Sequence, residues 1–318
     1  MVKKEEFLFD SRDGQTKIHA VRWVPEGEIL CILQIVHGMA EYIERYEAVG
    51  EYLAEKGILV TGEDHLGHGK SIRKTDTSGE GLCGYFCRQD PATVVVRDVH
   101  RLKKMTQEAY PGIPYVILGH SMGSFVFRNY LLRYGTGIQG AIISGTGMQP
   151  ASIIKLSLFL TSVQKLIFGS KHVSKFIDKL AFGNYNQKIS QPRTSFDWLC
   201  TQESVVDAYV ADPLCGFTFT VNGFKTLFTL IDRLTKEENL KVMPAELPVL
   251  FIAGEQDPVG NYGEAVKEVC ESFKRAGMQD VTLKLYPECR HEILNEKIKY
   301  EIYDEIMQWI VDKKVLNQ

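Results

Sequence analysis

The apolar positions change their period along the chain. Phe7-Leu8-Phe9, a turn at Asp13-Gly14 and the alternating run Lys17 to Val24 carry the two-residue repeat of half-buried strands. A break at Pro25-Glu26-Gly27 leads to the apolar run Ile29 to Val36, and residues 6 to 35 together read as an antiparallel lead-in. From there strands and helices alternate. The pattern predicts helix 46–56 closed by Gly57, strand Ile58 to Thr61, helix 92–109, strand 115–118, helix 122–134 and strand Gly140 to Ser144. Strand Val249 to Ala253, helix Glu264 to Ala276, strand Val281 to Tyr286 and helix 294–314 complete the series. Alternation of this kind implies an α/β fold with a mostly parallel sheet covered by helices on both faces.

Between about Gly147 and Met243 the alternation stops, and apolar residues recur at three and four positions. Ile153, Leu156, Leu160, Val163 and Ile167 form one stripe; Val173, Phe176, Ile177 and Leu180 form another. This predicts a helical insertion, so the chain divides into a first part of the core (1–147), a helical cap (148–243) and a second part of the core (244–318). The first insertion helix is apolar beyond one stripe, with Ile154, Leu158, Phe159 and Phe168 off the main row. Burial between cap and core explains this breadth, and a surface that meets lipid aggregates is the alternative.

Composition narrows the function. A net charge of −3 and the absence of a basic cluster leave no electrostatic footprint for nucleic acid, so small molecules are the expected partners. Seven cysteines, an odd number without paired CxxC spacing, read as reduced thiols packed as small hydrophobes. Met1-Val-Lys-Lys-Glu-Glu6 has no apolar stretch of a secretory signal behind it, and a cytoplasmic location is expected. No eighteen apolar residues run together, so no membrane-spanning helix is expected.

The sharpest chemical signal is Tyr115-Val-Ile-Leu-Gly-His-Ser-Met-Gly123, a GxSxG run between a predicted strand and a predicted helix. A serine hydroxyl becomes a useful nucleophile when a sharp turn exposes it beside a base, and flanking glycines permit that turn. A chance GxSxG in a loop is the bland reading, and the strand before and helix after weigh against it. In α/β-hydrolases the acid and the base follow the nucleophile in that order, each on a loop after a strand. Asp257 lies beyond strand Val249 to Ala253, and His291 beyond strand Val281 to Tyr286. Glu255 competes with Asp257, which precedes Pro258 and is held extended by it; turn formation is the ordinary role of an Asp-Pro pair. Among the eight histidines, His37, His65, His68 and His120 sit in glycine-rich loops and rival His291, but His291 alone follows the last predicted core strand. His65 and His68 lack the carboxylate or cysteine partners of a metal site, so neither metal nor cofactor is expected. The backbone amides of Met122, next to the nucleophile, and Met39, in the loop after Val36, are the expected oxyanion donors.

These segments resemble a known family. His37-Gly-Met-Ala-Glu-Tyr-Ile-Glu-Arg-Tyr46, Asp64-His-Leu-Gly-His-Gly-Lys-Ser71, Gly119-His-Ser-Met-Gly123, Ser144-Gly-Thr-Gly147 and Tyr286 through Glu292 are similar to the monoacylglycerol lipase and lysophospholipase branch of the α/β-hydrolases, which is also filed as serine aminopeptidase-like. The resemblance implies an α/β-hydrolase core with a cap, the triad Ser121, Asp257 and His291, and Met39 and Met122 as oxyanion amides. It also sets Glu41 near the polar headgroup of a substrate. Leu66 departs from the family's DxRGHGxS, which puts one loop contact in question.

The expected activity is hydrolysis of carboxylic esters of apolar acyl chains, monoacylglycerol or lysophospholipid, through an acyl-enzyme on Ser121. Phe159, Phe217 and Val259 are the expected substrate contacts beside Glu41, with Leu158, Leu160, Phe219 and Phe224 completing an acyl pocket or its entrance. An aminopeptidase of the same fold is the alternative. It would need cap carboxylates for a free α-ammonium, with Glu203, Asp207 and Asp212 as candidates.

Overall fold

The computed structural model describes residues 2–73 and 82–313. Its frame is one eight-stranded sheet: β1 (Lys3–Asp10), β2 (Lys17–Val24), β3 (Cys31–Val36), β4 (Ile58–Glu63), β5 (Tyr115–His120), β6 (Gly140–Ser144), β7 (Val249–Gly254) and β8 (Val281–Tyr286). The order across the sheet is β1-β2-β4-β3-β5-β6-β7-β8. β1 and β2 are antiparallel to each other, and β2 is antiparallel to β4; all the later pairs are parallel.

One sequence expectation is corrected here. β3 does not continue the antiparallel lead-in; it crosses over β4 and pairs parallel with both β4 and β5. Its six residues are all buried, and a strand apolar on both faces is stable only where helices cover both. Largely exposed β1 can face solvent and stays at the edge, with β2 between it and β4.

Helices α1 (Glu47–Glu55), α2 (Pro91–Ala109), α3 (Met122–Tyr134), α9 (Glu264–Arg275) and α10 (Lys299–Asp312) cover the sheet. On one face Val95, Val99 and Leu102 of α2, Phe127 of α3 and Val269 of α9 pack on Ile32, Ile117 and Phe251. On the other, Val49 and Leu53 of α1 and Ile302, Ile306 and Ile310 of α10 pack on Leu33, Leu118 and Ile252. All seven cysteines are free, and Leu66 is buried among apolar neighbours.

Between β6 and β7 lie α4 (Ala151–Phe168), α5 (Lys175–Phe182), α6 (Glu203–Ala211), α7 (Val221–Leu234) and the short α8 (Glu237–Leu240). α7 docks on the core through Phe224, Leu227, Leu230 and Leu234. α4 corrects one expectation. Only Ile154 and Thr161 of its eighteen residues are buried, so its breadth is not explained by packing between cap and core. It is also long and apolar enough to cross a membrane, with a mean hydropathy of 1.4 over eighteen residues. Lys155 and Lys165 interrupt the run without cancelling its mean, which a search for unbroken apolar stretches misses.

Candidate active site

Ser121 stands at the turn from β5 into α3 with φ 52° and ψ −121°, a conformation an L-residue adopts only under constraint. The constraint is local. The Ser121 amide donates to the Ser144 carbonyl at 3.0 Å, and Ser124 returns its amide to the Ser121 carbonyl at 2.9 Å. Neither neighbouring glycine has room for a side chain: a Cβ at Gly119 would press on Gly123 and Phe127, and one at Gly123 would overlap the Val36 and His37 carbonyls. The GxSxG spacing therefore follows from packing of the elbow against the end of β3. Met122 opens α3, where first-turn amides lack intrahelical acceptors and the helix dipole favours negative charge.

The loops after β7 and β8 meet beside this turn. His291 Nδ1 lies 2.9 Å from Asp257 Oδ2, and both side chains are buried. The other Asp257 oxygen accepts from the Val259 amide at 2.8 Å, which fixes the carboxylate plane. Burial disfavours the charged imidazole, but the Asp257 charge and hydrogen bond outweigh it and raise the His291 pKa above its ordinary 6.5. Of the two carboxylates in the β7 loop, Asp257 reaches the histidine and Glu255 is exposed. His120 packs against the His291 ring from the nucleophile side at 4.8 Å, and Trp198 packs against it at 5.1 Å.

His37 through Glu41 form the third loop. His37 Nε2 accepts from the His65 amide at 2.9 Å, and His65 Nε2 lies 3.1 Å from the His37 carbonyl. Burial holds His37, His65 and His68 below their usual pKa, so all three are neutral props of the loop. The Gly38 amide is taken by Glu41 Oε1 at 2.5 Å, whereas among the described residues no acceptor takes the Met39 amide. The Ala40 carbonyl accepts from both the Tyr209 hydroxyl and the Gly216 amide at 3.0 Å, so the segment between β6 and β7 grips this loop.

A buried ion cluster joins the loops, and it was not singled out in the sequence. Arg45 donates to Glu41 at 2.6 Å and to both oxygens of Glu292 at 2.8 Å, with its guanidinium over the Tyr209 ring. Burial alone would raise the Glu292 pKa, but Arg45 more than reverses that and holds it at about 2; burial raises that of Glu41. The motif holding Arg45 and the residue after His291 were both in view, but nothing in their spacing pairs positions 247 apart.

A cavity of about 750 Å³ ends at Ser121, His291, Met39 and Met122. Glu41 and Asn186 are among its polar lining residues, and Ile154, Leu160, Ile177, Phe182, Leu227 and Phe228 are among its apolar ones. Phe217 and Val259 are on its wall. Phe159 is not: it sits on the outer side of α4 and is 63% exposed, because Ile154 and Ser157 turn the opposite side inward. Phe219 and Phe224 are fully buried in the core beside the cavity.

Glu6, His19 and Glu44 are spaced for a metal ion, but Lys70 already bridges Glu6 and Glu44 at 2.7 and 2.9 Å and Asp64 holds His19 at 2.8 Å. That cluster is a satisfied ion network.

Comparison with known proteins gives a consistent result. The profile of the family described as serine aminopeptidase, S33, matches residues 27–298. The monoacylglycerol lipase of Mycolicibacterium smegmatis is 25% identical over 311 residues, 97% of either chain. The human monoglyceride lipase is 25% identical over 306 residues, 91% of this chain and 84% of its own. Among solved structures, a thermostable carboxyl esterase from Bacillus coagulans in complex with glycerol superposes with a TM-score of 0.89 at 29% identity, covering 98% and 99% of the two chains.

Proposed function

The chain belongs to the serine aminopeptidase S33 family of α/β-hydrolases, and within that family we propose that it is a carboxylic ester hydrolase of the monoacylglycerol lipase type, acting on esters of apolar acyl chains. The observation that carries this reading is the cavity, whose wall joins many apolar side chains to Ser121 and to a histidine of a buried Asp–His pair. Residues 148–243 act as the cap that supplies much of that wall, between core parts 1–147 and 244–318.

The reaction runs in two steps. Ser121 Oγ attacks the ester carbonyl while His291 Nε2 takes its proton, and the Met39 and Met122 amides stabilise the oxyanion. His291 then protonates the departing alcohol, leaving an acyl-Ser121 ester. Water attacks that ester, giving its proton to His291, and Ser121 departs with the proton returned. Asp257 orients the imidazole and stabilises its charged form throughout. Glu41 and the polar wall suit the alcohol side of the substrate.

The family's peptidase label calls for a carboxylate that receives an α-ammonium. Glu203 and Asp207 pair with Arg193 at 3.4 and 3.0 Å, and Asp212 accepts from Tyr42; none of the three lines the cavity. Glu41 is committed to Arg45, Tyr46 and Gly38. Asp178 is the carboxylate on the apolar wall, and burial raises its pKa, which suits a neutral neighbourhood. The test measures kcat/KM on p-nitrophenyl esters from acetyl to dodecanoyl, a monoacylglycerol and an aminoacyl amide, with wild type and Asp178→Asn. Ester hydrolysis that climbs with chain length and is indifferent to Asp178→Asn is expected. A maximum at acetyl, with efficient amide cleavage lost in Asp178→Asn, overturns the reading in favour of an aminopeptidase.

A further inference from the structure

Arg128, in the second turn of α3, is a buried cation without a counter-charge. It is 2% exposed, with the rings of Phe125 and Phe273 at 6.0 and 5.9 Å. Among the described residues no carboxylate pairs with it, and its Nε has no partner. Burial pulls its pKa down to about 9, so the guanidinium keeps its charge at neutral pH. A lone charge held in the interior is costly, and packing does not account for it.

Its partners lead to the nucleophile. Arg128 Nη1 donates to the Gly147 carbonyl at 3.0 Å and to Thr146 Oγ1 at 3.3 Å. Thr146 Oγ1 lies 2.8 Å from Ser124 Oγ, which lies 2.5 Å from the Ser121 carbonyl oxygen. A guanidinium only donates and a carbonyl only accepts, so the hydrogens of this chain run one way: Arg128 to Thr146, Thr146 to Ser124, Ser124 to Ser121. Thr146 and Ser124 are fully buried, so water does not interrupt it.

The Ser121 carbonyl and the Met122 amide are the two ends of one peptide group. Drawing electron density onto that oxygen leaves the N–H more positive, through the resonance that keeps the peptide planar. Hydrogen bonds in series in a low-dielectric interior reinforce one another. We propose that Arg128 is a positioning residue for the reaction, its charge relayed through Thr146 and Ser124 to the Ser121–Met122 peptide so that the Met122 amide is held and strengthened as a donor to the oxyanion. This rests on the reading of Ser121 as nucleophile and of Met122 as an oxyanion donor. Arg128 itself is not on the cavity wall, and the relay acts where negative charge develops, so its effect belongs to kcat and not to KM.

The test compares the full chain with Arg128→Met, Arg128→Lys, Thr146→Val and Ser124→Ala. It reads kcat and KM on p-nitrophenyl butyrate and the inhibition constants of octyl trifluoromethyl ketone and octyl methyl ketone. With the trifluoromethyl ketone, Ser121 Oγ bonds to the carbonyl carbon, the serine proton passes to His291, and the carbonyl electron pair becomes an oxyanion; the methyl ketone stays a carbonyl. Arg128→Met, Thr146→Val and Ser124→Ala should each lower kcat by about tenfold with KM little changed, less than the loss of a whole oxyanion donor. The trifluoromethyl ketone should weaken by a similar factor and the methyl ketone should not. Arg128→Lys should recover part of both losses, and Arg128→Met combined with Thr146→Val should lose no more than Arg128→Met alone, since the two act in one chain. Unchanged kcat in Arg128→Met and Thr146→Val, or equal weakening of both ketones, overturns the proposal and leaves Arg128 a tie between α3 and the loop after β6. Should Arg128→Met fail to fold, Thr146→Val decides, because it keeps the cation and its bond to Gly147. Wild type that cleaves an aminoacyl amide and no ester would sink the ester hydrolase reading instead, and the ketone comparison would still decide this one, because both reactions pass through the same oxyanion.

Discussion

Arg45 and Glu292 face each other fork to fork at 2.8 Å on both arms, and Glu292 is bonded in sequence to His291. The same guanidinium holds Glu41, whose carboxylate grips the Gly38 amide one residue before Met39. On the proposed mechanism Arg45 is thus a positioning residue for both the base and the oxyanion loop. Arg45→Met should lower kcat by roughly 10- to 100-fold with KM for a short ester little changed, and reduce stability by about 3–5 kcal/mol by stranding two buried carboxylates. Arg45→Lys, which restores charge without the fork, should recover part of the stability and less of kcat. Steady-state kinetics and thermal melts on both variants check this; equal kcat for wild type and Arg45→Met would show the cluster to be structural only.

A fluorophosphonate should label Ser121 alone, as peptide mapping would reveal. Ser121→Ala should lower kcat by about 10⁴- to 10⁶-fold, the loss seen when a triad nucleophile is removed. Labelling at any other serine would assign the nucleophile elsewhere.

Gly123→Ala places a methyl group against the Val36 and His37 carbonyls, so β3 and the elbow must separate. The backbone atoms there cannot rotate away as a side chain could. The variant should melt several degrees below wild type and lose most fluorophosphonate labelling, while Gly112→Ala, at an open turn with positive φ, should cost only modest stability.

The rate should rise with pH through an apparent pKa above 6.5. His291 must be neutral to accept the Ser121 proton, and its pKa in the fold is raised, so activity is lost as pH falls through that raised value. Asp257→Asn removes the two largest contributions that raise it and leaves burial, which lowers it, against the smaller pull of Glu292 and Glu41. The variant should lose about 10⁴-fold in kcat, and its residual activity should persist to lower pH than wild type. A full pH–rate profile of each protein decides; an unmoved limb would mean that another group titrates.

Narrowing the cavity at an apolar part of its wall should shorten the preferred acyl chain. Leu160→Trp fills space on the cavity wall, so kcat/KM for dodecanoyl esters should fall well below wild type while butyryl esters are spared. Each methylene that still fits contributes up to about 0.8 kcal/mol, which sets the steepness of the series before its break. A uniform loss at all lengths would place Leu160 outside the acyl path.

What the sequence disclosed was local or ordered along the chain. The elbow was legible because its serine, its glycines and its flanking strand and helix are contiguous, and Asp257 and His291 because each lies shortly after a strand visible in the sequence, an apolar run for β7 and an alternating one for β8. The sheet position of β3 was not, since a strand buried along its whole length and apolar but for Gln34 carries no alternation to say which neighbour it takes. Nor was the exposure of α4: a helix apolar nearly all round looks buried on any wheel, and only the fold reveals that most of its surface faces outward. The Arg45–Glu292 pair joins residues whose proximity is created by the sheet order.

The shared carbonyl of Ala40 divides the segment between β6 and β7 into halves of different freedom. Tyr209 and Gly216 cannot lift from the core without releasing the loop that carries Met39, so any opening that included them would dismantle the oxyanion site as it admitted substrate. A displacement confined to α4 and α5 would leave both bonds to the Ala40 carbonyl in place. For anyone exchanging this segment between relatives to change specificity, the practical seam lies between Phe182 and Tyr209. A graft carrying only the first half would keep the oxyanion loop anchored, and a graft of the whole would have to supply its own pair of donors to residue 40.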